Sequence, residues 1–258
     1  MRITIIGAGN MGGAIARGLT LGTLVKAADI TVSDPSKANL DKLTAFNKDI
    51  QTISDNQEAI ADADIVMIAV KPWLMKEVIS NLQFKVDKQI IVSVAAGISL
   101  SDLADWTDPV ATLFRLVPNT AISELASMTL IASMNATSEQ EQILLNLFNE
   151  LGLAMLIPEK QIPATTAMTS CGIAYALKYI QAGLQAGVEM GVYPKDAMKM
   201  VAQSLKGAAE LILNNDTHPA VEIDKVTTPG GLTIKGINEL EHAGFTSAII
   251  KAMKESAK

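Results

Sequence analysis

The sequence predicts a parallel α/β sheet domain followed by an all-helical domain. Three observations carry this expectation. Short β-branched runs alternate with helical patterns over the first part of the chain. A glycine-rich turn follows the first of those runs directly, and the strand signal stops at about Pro158. Length and composition allow such a pair of domains: 258 residues, 49% of them hydrophobic and only 19% charged, can build a sizeable core.

Strands are expected at Arg2–Ile6, Ile30–Ser33, Ile65–Ala69, Ile90–Val94, Val110–Arg115, Met128–Ser133 and Ala154–Ile157. A short run before Asn56 is a candidate third strand. Helical patterns fall between them at Gly12–Leu21, Lys37–Phe46, Lys76–Leu82 and Glu139–Leu151. Beyond the break at Gly152–Pro163 the expected helices are Ile162–Met190, Pro194–Asn214 and one near Thr246–Glu255. The domains are therefore drawn as 1–158 and 159–258. The stretch Ile162–Met190 is rich in Ala, Gly and Met, and a helix apolar on most faces must be buried against something. A second copy of the chain can supply that burial, with a self-contained helical bundle as the alternative, so the C-terminal half is expected to form a homodimer or a higher homo-oligomer.

The chemistry-bearing motifs begin with Gly7-Ala8-Gly9-Asn10-Met11-Gly12, set between a strand and a helix. In that context Gly7 allows the tight turn, Gly9 lets the backbone approach a pyrophosphate, and Gly12 lets the helix pack on its strand. The helix start then offers unpaired N–H groups to the phosphates. The first domain is thus read as a Rossmann-type doubly wound sheet that holds a dinucleotide. The second strand ends at Ser33-Asp34-Pro35-Ser36-Lys37. Asp34 there favours the ribose diol of NAD, with the start of the next turn and helix as its alternative role. Ser33, Ser36 and Lys37 suit a 2′-phosphate, so these residues by themselves leave NADPH and NADH both open. Ala69-Val70-Lys71-Pro72 and Val94-Ala95-Ala96-Gly97 end two further strands, where small residues admit the nicotinamide half; Asn56 is a candidate for the adenine-side ribose. Lys71 reads equally as a cofactor contact or a solvated loop lysine.

In the helical half, Val226-Thr227-Thr228-Pro229-Gly230-Gly231-Leu232-Thr233 presents consecutive backbone N–H groups flanked by hydroxyls, a nest suited to a small carboxylate. Other chemistries find no support. With Cys171, His218 and His242 as the full complement of cysteine and histidine, neither a disulfide framework nor a zinc-ligand cluster is available, so no metal is expected. Nucleic acid is disfavoured by a net charge of -6 and 4% aromatic content. No stretch is long and apolar enough for a bilayer, and the opening residues enter a strand without a leader, which predicts a cytoplasmic protein outside the membrane.

End to end, the chain resembles the pyrroline-5-carboxylate reductase family. The resemblance rests on Ile6–Gly12, Ala69–Pro72, Ala95–Gly97, Val117-Pro118-Asn119-Thr120 and, most specifically, Asp224–Ile234 with Leu240-Glu241 and Gly244-Phe245 behind it. It implies a Rossmann domain followed by an all-α dimerisation domain, and NAD(P)H-dependent reduction of a cyclic imine to L-proline, with NADPH the commoner donor. It further implies that Gly7, Gly9, Asn10, Met11 and Gly12 line the pyrophosphate, and that Asn56, Ala69, Lys71, Pro72, Ala95 and Gly97 line the rest of the cofactor. Thr227, Thr228, Gly230, Gly231 and Thr233 are implied to hold the substrate, Thr233 nearest the imine nitrogen. The chain departs from the family pattern at Ala121, Ser170, Ile173 and Leu232.

Two other readings compete. A hydroxyacid dehydrogenase of similar plan carries a catalytic lysine followed four residues later by asparagine; Lys178 fits, but Ala182 does not. A non-catalytic dinucleotide-binding protein would share the first domain with a decayed pocket.

Overall fold

A computed structural model describes all residues, Met1–Lys258. The chain divides into two compact units, Met1–Ser170 and Cys171–Lys258.

The first unit opens with β1 (Ile3–Ile6), α1 (Asn10–Leu21), β2 (Ile30–Ser33), α2 (Lys37–Phe46), β3 (Gln51–Ile53), α3 (Asn56–Ile60), β4 (Ile65–Ile68) and α4 (Met75–Ser80). It continues with β5 (Ile90–Ser93), α5 (Leu100–Trp106), β6 (Thr112–Val117), β7 (Ser127–Met134), α6 (Ser138–Asn149), β8 (Gly152–Leu156) and α7 (Ile162–Thr169). The strands form one sheet in the order β3-β2-β1-β4-β5-β6-β7-β8. All neighbours run parallel except β6 and β7. The expected doubly wound sheet is present, and its order reverses between β1 and β4. A crevice opens at such a switch point.

Both faces of the sheet are covered, which is why its strands read as continuous apolar runs rather than alternating ones. Successive residues still part company. Ile65 and Met67 join Ile15, Leu19, Leu144 and Phe148 in one core cluster. Val66 and Ile68 join Met75, Ile79, Leu100 and Leu103 in the other. Two helices carry capping boxes, Ser99 with Asp102 on α5 and Thr137 with Gln140 on α6. Each box satisfies two otherwise orphaned N–H groups. Hydrogen bonds from the Ser99 side chain and backbone hold the Asp102 carboxyl below its usual range.

The second unit is all helix: α8 (Gly172–Glu189), α9 (Pro194–Asn215), α10 (Pro219–Val226), α11 (Leu232–His242) and α12 (Phe245–Ser256). α8 and α9 pair closely because small residues meet at the contact: a Cβ on Gly187 would stand 2.9 Å from the Ala197 Cβ. Little else is buried. Gly187 and Ala197 are the unit's two buried residues, while Leu177, Met190, Tyr193, Leu213, Val226 and Leu232 are exposed.

One expectation needs correction. The single helix expected over Ile162–Met190 is two helices. Ser170 and Cys171 keep helical dihedrals, but the Ala174 N–H bonds to Cys171 O, three residues back, which interrupts the four-residue ladder. The Ser170 hydroxyl turns away to donate to Pro118 O. The first compact unit runs past residue 158 through α7. Ile162 and Ala167 are buried, and α7 packs on β7.

Candidate functional site

The cleft of the first unit, about 640 Å³, lies at the carboxyl ends of β1, β2, β4 and β5. Its floor is the glycine turn. Gly7 has φ +103°, a conformation that L side chains rarely adopt, and its N–H bonds to Ser33 O at 2.7 Å. Gly9 begins α1 and meets no protein atom within 4 Å of where a Cβ would stand. No side chain caps that helix start, so its first N–H groups are left for a ligand. Bare backbone, open space and uncapped N–H groups at one point fit a pyrophosphate and its charge.

The second wall comes from β2 and α3. The Ser33 hydroxyl donates to Asn56 Oδ1 at 2.6 Å, which ties the two residues expected near the ribose to each other. Asp34 is 8% exposed. Its Oδ2 accepts the Ala8 N–H at 2.7 Å and its Oδ1 accepts the Ser36 N–H at 2.7 Å. The far wall is Ala69, Val70, Lys71 and Pro72 after β4, with Val94, Ala95 and Ala96 after β5. The Lys71 ammonium is exposed at the rim, 6.0 Å from the ring centroid of Trp73.

Of the expected cofactor residues, Gly7, Gly9, Asn10, Met11, Ser33, Asp34, Asn56, Ala69, Lys71, Pro72 and Ala95 line the cleft. Gly12 and Gly97 do not. Gly12 is buried beneath the turn, where it acts through packing, and Gly97 lies one residue past the lining with φ +79°. Sequence reasoning missed Asn39, Leu74 and Val78. Asn39 was accessible to reasoning, because it lies in the first turn of α2, the helix that opens just after Asp34; Leu74 and Val78 sit on a turn and helix whose facing is set by packing.

In the second unit, Thr227–Gly231 is the turn between α10 and α11. Gly230 has φ +69°, and the Gly231 N–H bonds to Thr228 O at 2.9 Å. The Thr227 hydroxyl donates to Ile223 O at 2.9 Å, back into α10. Thr228 and Thr233 are exposed, and no side chain caps α11 at Gly231. No group of three or more His, Cys, Asp or Glu is placed to hold a metal, and no helix is long and apolar enough to cross a membrane.

Comparison with known proteins gives this architecture a family. Residues 159–258 match a family model described as pyrroline-5-carboxylate reductase dimerisation, and residues 2–97 match one described as NADP oxidoreductase coenzyme F420-dependent. A pyrroline-5-carboxylate reductase 2 of Dictyostelium discoideum is 36% identical over 99% of this chain and 91% of its own length. The chain belongs to the pyrroline-5-carboxylate reductase family.

Other relatives agree. The reductase of Methanosarcina acetivorans is 34% identical over 99% of this chain and 96% of its own. Against pyrroline-5-carboxylate reductase 1 of Dictyostelium discoideum, the chain is 35% identical but spans only 48% of that protein's length. A solved pyrroline-5-carboxylate reductase from Coxiella burnetii superposes with a TM-score of 0.92 at 27% identity, covering 99% of this chain and 96% of that one. The Plasmodium falciparum pyrroline carboxylate reductase, solved with NADP bound, gives 0.88 at 25% identity over 100% and 95%. In this reductase-family member, the lysine considered for a hydroxyacid mechanism has another partner: Lys178 donates to Gln181 Oε1 at 2.9 Å.

Proposed function

We propose that this protein reduces L-1-pyrroline-5-carboxylate to L-proline, using NADPH and also accepting NADH, as a homodimer or higher homo-oligomer in the cytoplasm. One observation carries the reading: a family-typed reductase chain presents an uncapped glycine-turn cleft at the switch point of its sheet.

Gly7, Gly9, Asn10 and Met11 would hold the pyrophosphate through backbone N–H groups. Ser33 and Asn56 would meet the adenine-side ribose. Ala69, Pro72 and Ala95, small or flat, leave room for the nicotinamide half, with Lys71 at the rim. When bound, the dinucleotide supplies the hydride. The rest falls to the protein. The Gly230 N–H and the uncapped N–H groups of Leu232 and Thr233, at the helix start that Gly231 opens, would receive the substrate carboxylate, and the Thr233 hydroxyl would orient the ring nitrogen. A protonated cyclic imine is already electrophilic, so positioning and exclusion of water suffice without a dedicated general acid. Reduction of a ketone would need a proton donor for the developing alkoxide.

The exposed apolar surface of α8 to α12 supports the assembly reading. A unit with two buried residues has no core of its own to hold it together, and a second copy provides one. Incubation of the protein with NADPH and pyrroline-5-carboxylate, followed by loss of the reduced-nicotinamide absorbance, tests the activity. Turnover of 2-hydroxy acids instead of the imine would overturn it in favour of a hydroxyacid dehydrogenase. Dinucleotide binding without turnover of either would favour a non-catalytic protein.

A further inference from the structure

The sequence offers Asp34 as a ribose ligand that disfavours a 2′-phosphate. Its surroundings give it different work. Strands β1 and β2 run side by side with Ile6 opposite Ser33. One residue past β2, the Asp34 carboxylate reaches across to the residue between the first two glycines of the turn. Oδ2 takes the Ala8 N–H at 2.7 Å, while Oδ1 takes the Ser36 N–H at 2.7 Å and lies 3.4 Å from Asn39 Nδ2. Each oxygen is thus engaged by the chain's own backbone, and the residue is 8% exposed.

We infer that Asp34 is a positioning residue that braces the glycine turn against the end of β2, and that it does not select between NADPH and NADH. Resting on the cofactor assignment proposed above, this accounts for an acidic residue in a site that accepts a 2′-phosphate. The negative charge is directed into two N–H donors. An ionised acceptor makes such bonds short and strong, and holding Ala8 fixes the flanking Gly7 and Gly9 where the pyrophosphate must lie.

Equilibrium titration of NADPH and NADH onto wild type, Asp34→Asn and Asp34→Glu by calorimetry tests the inference. The Asn variant is isosteric but turns an amide donor toward one of the two N–H groups. The Glu variant keeps the charge on an arm one methylene longer than the brace. Both variants are expected to weaken NADPH and NADH by the same factor, about ten-fold, and to lower the ligand-free melting temperature by only roughly 2–8 °C, because a buried N–H loses its acceptor. A ribose ligand would behave otherwise: Asp34→Asn would shift preference toward NADPH, and Asp34→Glu would keep NADH binding. Either result overturns the inference while leaving the cofactor assignment intact. Unchanged affinities in both variants, or a large loss of melting temperature with unchanged affinities, overturn it as well. A wild-type chain that binds neither dinucleotide removes the cofactor assignment itself, and the inference with it.

Discussion

A Cβ on Gly12 would stand 1.9 Å from the carbonyl oxygen of Gly7 and 2.9 Å from the Ala69 Cβ. The first turn of α1 therefore lies directly on the glycine turn and the end of β4, and only hydrogen fits between them. Gly12→Ala must push α1 away, an overpacking cost of about 1–3 kcal/mol. Gly9→Ala meets no protein atom within 4 Å, so the fold should lose less than about 1 kcal/mol while the new methyl occupies the place reserved for pyrophosphate. Thermal melts and dinucleotide titrations should separate the two: Gly12→Ala loses stability and binding together, Gly9→Ala loses binding alone. Wild-type dinucleotide affinity in Gly9→Ala would move the pyrophosphate away from this turn.

Thr233 provides the test of the substrate site. It is exposed near the start of α11, and its hydroxyl makes no hydrogen bond within the chain. Thr233→Val keeps the shape and removes the hydroxyl. A hydrogen bond to a charged group contributes about 1.5–3 kcal/mol, so kcat/KM for the imine should fall on the order of 10- to 100-fold. Dinucleotide affinity, measured by titration, should stay at the wild-type value. Unchanged kcat/KM would remove Thr233 from the site.

Assembly can be read from sedimentation velocity. The full chain at micromolar concentration should run as a dimer or larger species, because its second unit leaves Leu232 86% and Tyr193 80% exposed. A chain ending at Ser170 should be monomeric and still bind dinucleotide. Ending it at Pro158 instead should destabilise it, since Ile162 and Ala167 are buried.

Glu150 links stability to pH. Its carboxylate, at the end of α6, accepts the Thr23 N–H at 2.6 Å, the Thr23 hydroxyl at 2.7 Å and the Leu24 N–H at 3.3 Å. Burial pushes the carboxyl up, but the hydrogen bonds from Thr23 and Leu24 outweigh it and hold the group below its ordinary 4.5. A carboxyl lowered by folding stabilises the protein fully above that ordinary value and loses the contribution as pH falls through the folded one. Glu150→Gln should therefore cost about 1 kcal/mol at neutral pH. Denaturant melts of variant and wild type should converge once the pH is well below 4.5. A difference that persists in acid would mean the carboxylate charge is not the source.

Strands and glycines were the legible part of the sequence. Ile30–Ser33 and Lys37–Phe46 lie where periodicity puts them, and β1 runs into the Gly7 turn as the spacing demands. Hydrophobic period and backbone freedom are local properties, so they can be read one residue at a time. The short α5, and α10 and α11 on either side of the Thr-Thr-Pro-Gly-Gly turn, were not delimited, because short helices next to glycine and proline leave little periodic signal.

By itself, then, the sequence determined the α/β order of the first half, the glycine turn and the family, since each rests on residues adjacent along the chain. Only the tertiary structure decided what Asp34 and Glu150 hold, where the helix at Ser170 breaks, and that α7 belongs to the first unit. Asp34 meets Ala8, and Glu150 meets Thr23, across wide separations in sequence. A carboxylate's partner is chosen by whichever N–H the fold brings within hydrogen-bond distance, and no local pattern records that distance.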